Sequence, residues 1–275
     1  MEYYTNPEIP DGLTDSEHGH GREFMAVCLK YLGLLVALLI VLDIAARLIV
    51  PLTPFSWEKK LTPDSLLKSL SASSTKSEAI TRSLSELGLR VAANMDLPPD
   101  MDLTFHYIQD DTVNAMATLG GNILVFEGLL KVMPSEEALA AVMAHEIAHI
   151  KHRDMLKGLV RTVGLTIALA LTGSDASALG EMGSGIGLLG YSRWQESDAD
   201  EAAVHALGKM YGNIKGFEEC FQALQKAYDG INPPEILSSH PDTEKRIRKA
   251  RAKAEVLGYP LNKPTRALPK ELLVK

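Results

Sequence analysis

Residues 144–154 read AHEIAHIKHRD, with two histidines four apart and a glutamate directly after the first. On an α-helix, positions i and i+4 lie one turn apart and about 40° apart around the axis, so His145 and His149 point the same way and Glu146 flanks them. The preceding residues supply the helix. Ser135 is a natural cap for a helix running through 153, and Glu136 and Glu137 sit in its first turn, where the helix dipole favours negative charge. Two imidazoles aimed at one point can converge on a single metal ion at ~2.0–2.1 Å. The competing reading is an alanine-rich helix that happens to carry charged residues.

The pattern H-E-x-x-H is the arrangement of zinc proteases, in which the glutamate holds a water and takes its proton. Two histidines are not enough. A catalytic zinc site needs three protein ligands and an open position, so a different element must supply the third. The best place is YSRWQESDADEAAVHAL, residues 191–207. Helical there, Glu196, Asp200, Ala203 and Leu207 share one face, which puts two acids on a stripe otherwise made for burial. Burying a carboxylate without a partner costs several kcal/mol, and a metal or a metal-bound histidine removes that cost. Glu196 is therefore expected as the third ligand and Asp200 as the acceptor for a ligand-histidine N–H. A solvated helix face is the other reading, since Asp198 and Glu201 are close by. His152 and His205 are expected as surface or core histidines, and His18 and His20 fall in the amino-terminal tail.

A second feature bears on where such a site would work. Residues 25–50, MAVCLKYLGLLVALLIVLDIAARLIV, form an apolar stretch whose uninterrupted core, Tyr31 to Leu42, is shorter than the ~20 residues a bilayer requires. The flanking charges are tolerable: Lys30 can snorkel, and Asp43 and Arg47 are spaced to pair on one helical face. A transmembrane anchor over 25–48 is expected, with its span at roughly 26–46. A cleaved signal peptide fits less well, because its leading region would be acidic and no small-x-small site follows the core. A buried helix of a soluble protein is the remaining alternative. Lys and Arg on the two flanks do not decide the orientation.

The chain of 275 residues, 46% hydrophobic and 23% charged, is long enough to bury a core in one or two domains. A net charge of −7 with dispersed basic residues argues against nucleic acid. Two cysteines, Cys28 and Cys220, argue against a disulfide framework and a cysteine-ligated zinc. Residues 1–24 read as a flexible tail, 49–62 as an extended linker punctuated by Pro51 and Pro54, with Pro63 just beyond, 63–262 as the folded domain and 263–275 as a second tail. Within the domain, 64–94 is helical, with Leu66, Leu67, Leu70, Ile80, Leu84, Leu87 and Leu89 as its apolar stripe. Strands are expected at 102–110, 112–118 and 122–126, and helices at about 155–172, 191–211, 214–229 and 242–257. This is a small sheet on a larger helical body, an α+β fold. The stretch 158–173 is apolar for too short a run to span a membrane and is expected in the core or against a membrane surface.

Four motifs in this order, NAMATLGGNILVFEGLL (114–130), HEIAH (145–149), E-x-x-A-D (196–200) and SSHPDTEKR (238–246), resemble the M48 family of zinc metallopeptidases over about residues 100–250. The resemblance implies a mostly helical, zincin-like (gluzincin) domain behind one transmembrane helix, with one zinc ion per chain on His145, His149 and Glu196. It implies Glu146 as general base, His240 near the metal as oxyanion stabiliser and Arg246 as a residue that orients a helix or an acid. Leu119 stands where family members usually carry a residue such as Pro. The paired glycines suggest a turn that leaves strand 122–126 open, so that Gly120, Gly121, Asn122, Ile123 and Leu124 would pair with an extended polypeptide; an ordinary hairpin turn is the alternative. The single anchor is most similar to the bacterial type, in the inner membrane with a periplasmic domain that cleaves unfolded or misassembled envelope proteins. A latent or non-proteolytic, chaperone-like zinc module and a processor of prenylated C-termini are the rival readings.

Overall fold

A computed structural model of the chain describes residues 17–62, 75–171, 191–227, 236, 240 and 243–274. Helix α1, Glu17–Ile49, starts ahead of the expected anchor and is long and apolar enough to cross a membrane, with a mean hydropathy of 2.6 and no burial in its most apolar window. Pro51 cannot continue a helix, and α1 gives way to a single turn, Val50–Leu52. The expected extended linker is instead folded. Helix α2, Phe55–Leu61, begins right after Pro54 and buries Phe55 and Glu58.

Helix α3, Thr75–Ala92, buries Ile80, Leu84, Leu87 and Val91. Leu89, assigned to the apolar stripe from the sequence, is 55% exposed, because it falls on the opposite side of the helix from Leu87 and Val91. Leu66, Leu67 and Leu70 lie outside the described residues.

Three short strands follow: β1 Thr104–Ile108, β2 Ala115–Thr118 and β3 Asn122–Phe126. The sheet order is β1-β3-β2, with β1 parallel and β2 antiparallel to β3. The strand expected to lie open is therefore the central one. Its residues 122–125 are all buried, as a strand covered on both faces must be, and the free edge near the helices belongs to β2. The glycines before β3 have another task. Gly120 and Gly121 both have positive φ, 76° and 83°. A Cβ on Gly121 would collide with the Asp102 carbonyl oxygen, and one on Gly120 would meet the Lys59 Cα at 2.9 Å. The turn is thus pressed against α2, and the Thr62 hydroxyl donates to the Leu119 carbonyl at 2.9 Å.

After α4 (Glu127–Val132) comes α5, Glu136–Lys151, which is buried from 136 to 150. Its cap is as expected: the Ala138 N–H donates to the Ser135 hydroxyl at 3.1 Å. Helix α5 lies at the centre, packed by α3 and β2 on one side and by α7 (Arg193–Tyr211) and α8 (Lys215–Lys226) on the other. Helix α9, Thr243–Leu257, packs on α7 and α8. Helix α6, Asp154–Leu171, leaves this body and runs beside α1; past Leu156 none of its described side chains is buried. The last residues, expected as a tail, are laid on the body. Leu268, Leu272 and Val274 are buried, the Glu136 N–H donates to the Arg266 carbonyl at 3.0 Å, and the Arg266 N–H donates to Glu137 Oε2 at 2.8 Å.

Candidate metal centre

The helical spacing of α5 brings the Nε2 atoms of His145 and His149 to 3.1 Å, on edge-to-face rings buried in the body. Each ring is held from behind by a carboxylate: His145 Nδ1 lies 3.1 Å from Asp200 Oδ1, and His149 Nδ1 lies 2.9 Å from Asp154 Oδ2. A carboxylate accepts only an N–H, so His149 Nδ1 donates to Asp154, whereas His145 Nδ1 stands between Asp200 and the Arg246 Nη2 donor 3.3 Å away. Both Nε2 atoms are aimed at one point, where neutral imidazoles offer their lone pairs to a cation.

Helix α7 delivers the matching anion. Its Ser192–Gln195 capping box starts the helix immediately before Glu196, and the i, i+4 spacing places Glu196 and Asp200 on one face. Glu196 Oε1 is 3.4 Å from His149 Nε2, and Oε2 is 3.6 Å from His145 Nε2. His145, His149, Glu196 and His240 each offer one ligand atom within 4.8 Å of the others, all buried. Glu196 Oε2 and Glu146 Oε1 are buried with no hydrogen-bond partner. Two converging imidazoles and a buried carboxylate, whose Oε2 also lies 3.3 Å from Arg246 Nη1, form a donor set that suits a divalent ion.

Electrostatics within the cluster agree. Burial alone would lower the His149 pKa, but the Asp154 and Glu196 carboxylates outweigh it and raise the value to about 9. Glu196 shows the converse: burial raises it, but hydrogen bonds from His149 and His240 hold it well below the carboxylate range. His145 is pushed far down by burial and then by the Arg246 guanidinium. Burial raises the Glu146 carboxyl.

Glu146 lies beside the cluster, with Oε2 accepting from the Ala117 N–H of β2 at 2.8 Å and Oε1 3.8 Å from His240 Nε2. His240 Nδ1 is 2.7 Å from Glu196 Oε1 and 3.2 Å from His145 Nε2. Arg246 grips Asp200 with two N–H donors, Nε at 2.8 Å and Nη2 at 2.6 Å, and its Nη1 donates to the His240 carbonyl at 2.9 Å. Beside His145 and Glu146 opens a pocket lined by Val142, Phe217, Phe221 and Leu224.

The structure thus brings together His145, Glu146, His149, Glu196, Asp200, His240 and Arg246. Gly120, Gly121, Asn122, Ile123 and Leu124 do not offer the open edge assigned to them, because β3 is paired on both sides. His152 and His205 stay outside the cluster. Two contributors went unread in the sequence. Asp154 follows His149 by five positions and reaches back only because Arg153 takes a left-handed turn, φ 55°. Tyr191, the residue before the Ser192 cap, stacks on His149 with ring centroids 3.7 Å apart.

Known proteins share these elements. The family model described as peptidase family M48 matches residues 78–254. The beta-barrel assembly-enhancing protease of Escherichia coli (strain K12) is 27% identical over 192 residues, which is 64% of this chain and 39% of that protein. Mitochondrial metalloendopeptidase OMA1 of Schizosaccharomyces pombe is 32% identical over 155 residues, 54% of this chain and 46% of that protein. A protease HtpX homolog of Methylibium petroleiphilum is 29% identical over 181 residues, 56% of this chain and 59% of that protein. The chain spans about two fifths of the length of the beta-barrel assembly-enhancing proteases it matches.

Proposed function

The chain belongs to peptidase family M48, and on that footing we propose that it is a membrane-anchored, zinc-dependent endopeptidase. One observation carries the reading: a carboxylate from α7 meets both imidazoles of α5 within 3.6 Å, while the Glu146 oxygen beside them is left without a partner. His145, His149 and Glu196 would hold the ion, which when bound polarises a carbonyl and lowers the pKa of water. Asp154 holds His149 in the tautomer that ligation requires, and Asp200, fixed by Arg246, would do the same for His145. Glu146 takes the proton of the attacking water and returns it to the leaving amine, with the Ala117 N–H holding its other oxygen in place.

The substrate strand would add to β2. Because the Ala117 N–H points away from β3, Ala117 and Ala115 are the residues of β2 whose backbone groups face outward. That leaves the Ala115 N–H and two carbonyls for an extended polypeptide, read through its backbone. The pocket around Val142 and Phe221 suits an apolar side chain.

Purified full-length protein in detergent is expected to cleave unfolded casein and to stop when a chelator is added. Glu146→Gln should keep its metal and lose cleavage. Retained cleavage would remove Glu146 from the role of base. Glu196→Ala should lose metal, and full occupancy would strike it from the ligands.

The latent reading has its own observation. His240 places a nitrogen among the ligand atoms, and four protein ligands close a site that catalysis needs open. If His240 caps the metal, His240→Ala raises activity; if it stabilises the oxyanion, the same change lowers it.

The anchor, together with relatives named beta-barrel assembly-enhancing protease, supports a role in envelope protein quality control. The anchor would be a single pass through a bacterial inner membrane, with the body on the periplasmic side. Protease accessibility in spheroplasts tests that side.

A further inference from the structure

We propose that the second half of α6, residues 162–171, lies in the acyl region of the bilayer alongside α1. This rests on the reading of α1 as the anchor.

Three contacts fix the direction of α6. The Arg153 Nη1 donates to the Val50 carbonyl at 2.7 Å, Arg161 Nε lies 3.6 Å from Asp43 Oδ1, and a Cβ on Gly164 would collide with the Leu42 side chain. Numbers rise along α6 as they fall along α1, so the two helices are antiparallel and α6 heads back the way the anchor came. Between 21 and 49 the positions of α1 that are not fully exposed are Leu38, Leu42, Asp43, Ala45 and Ala46. Their spacing, 38, 42, 45 and 46, is that of one helical stripe. Small residues on both sides, Ala45 and Ala46 on α1 and Gly164 under Leu42 on α6, are how helices approach closely in lipid. The cover reaches as deep as Leu38, well inside the span expected at 26–46.

The chemistry of α6 divides at the same level. Asp154, Lys157 and Arg161 occupy its first half, whereas TVGLTIALAL, residues 162–171, carries no ionisable group. The two hydroxyls in that half are turned back on the helix: Thr162 donates to the Gly158 carbonyl at 3.0 Å and Thr166 to the Thr162 carbonyl at 2.9 Å. Polar groups in hydrocarbon must be satisfied internally, and here they are. Val163, Ile167 and Leu171, 47%, 57% and 84% exposed, form a stripe that continues the bare apolar surface of α1. Asp43, paired with both Arg47 and Arg161, marks the level where charge ends. Continuity with the anchor names the occupant of this face: lipid acyl chains.

From Arg161 to Leu171 the helix advances ~15 Å, about half of a ~30 Å hydrocarbon core, so its described part reaches the middle of the bilayer. Asp154 at its start holds His149, and Tyr191, where the described chain resumes, stacks on the same ring. Asp154 and Tyr191 thus meet at one metal-binding imidazole. The metal centre is thereby held close to the membrane surface, where its substrates are polypeptides on or emerging from the bilayer.

The test uses full-length protein in phosphatidylcholine–phosphatidylglycerol vesicles, in a Cys28→Ser background, with an environment-sensitive fluorophore on Ile167→Cys. Val36→Cys in α1 and Arg248→Cys on the body serve as membrane and water references. The Ile167 label is expected to lose emission to a lipid-borne nitroxide as strongly as the Val36 label, and to ignore aqueous iodide. Iodide quenching matching the Arg248 label, with Val36 still lipid-quenched, would overturn the proposal and leave the anchor standing. Quenching by neither, with the unlabelled Ile167→Cys protein forming disulfide-linked dimers under an oxidant, would mean a second copy covers this face, and the proposal would fall. An iodide-quenched Val36 label would sink the anchor reading and this inference together.

Discussion

Each imidazole of the candidate metal centre has a carboxylate behind it. Removing the anion without changing shape tests the dependence of metal binding on it: Asp154→Asn and Asp200→Asn each replace an acceptor-only group with an amide that can turn either way. Affinity for zinc, measured by competition with a chromophoric chelator, is expected to fall roughly 10–100-fold in both, the usual cost of losing such a partner. Unchanged affinity in Asp154→Asn would mean that the 2.9 Å contact does not orient His149. A proton adds a second dependence. In the metal-free chain His149 keeps its proton up to about pH 9, and an ion has to displace it. Binding should therefore weaken as pH falls below that value and release protons at pH 7, which calorimetry in buffers of different ionisation enthalpy reads directly. Asp200 was legible in the sequence because one helical turn separates it from Glu196. Asp154 was not, since its approach depends on the left-handed φ of Arg153, and an arginine in a polar run gives no sign of that.

Among the elements, the misread ones share a cause: their neighbours are distant in sequence. Strand β3 alternates no more clearly than β2, and only its parallel partner β1, eighteen positions earlier in register (Thr104 opposite Asn122), makes it central. The glycines before it looked like hairpin chemistry, yet their open side is filled by α2, a helix that a proline-punctuated linker did not advertise. That helix is fastened to the end of α5. Arg153 and Glu58, both buried, pair at 2.6 Å, and the guanidinium also donates to the Val50 carbonyl. Breaking a buried pair from one side leaves an uncompensated charge, at a cost of about 3–5 kcal/mol. Arg153→Ala should lower the thermal midpoint in detergent sharply, whereas Arg153→Met with Glu58→Leu should recover most of the loss. A double variant no better than the single would show that the carbonyl contacts, not the ion pair, hold the junction.

For the whole molecule, the boundary between the apolar helix α1 and the folded body moves. Composition placed it near 63, after the last proline, and placed a free tail beyond 262. The packing argues for a folded unit running from about 50 to 274. Val50 clusters with Leu119 and Leu156, Phe55 and Glu58 are buried, and Leu272 is fully enclosed at the other end. None of these positions stands out in sequence, because the burial of each comes from segments far away. The consequence is measurable by truncation. A fragment of residues 50–275 keeps the α2 contacts, while one of 63–275 strips the partner from Arg153 and uncovers the glycine turn. Both lose the cover that α1 gives α6, so both need detergent, and the comparison isolates α2. The shorter fragment is expected to unfold at lower temperature and to bind zinc more weakly, because Arg153 also sets the turn that returns Asp154 to His149. Equal midpoints and equal zinc affinity would place the boundary back at 63 and make α2 a passenger of the anchor.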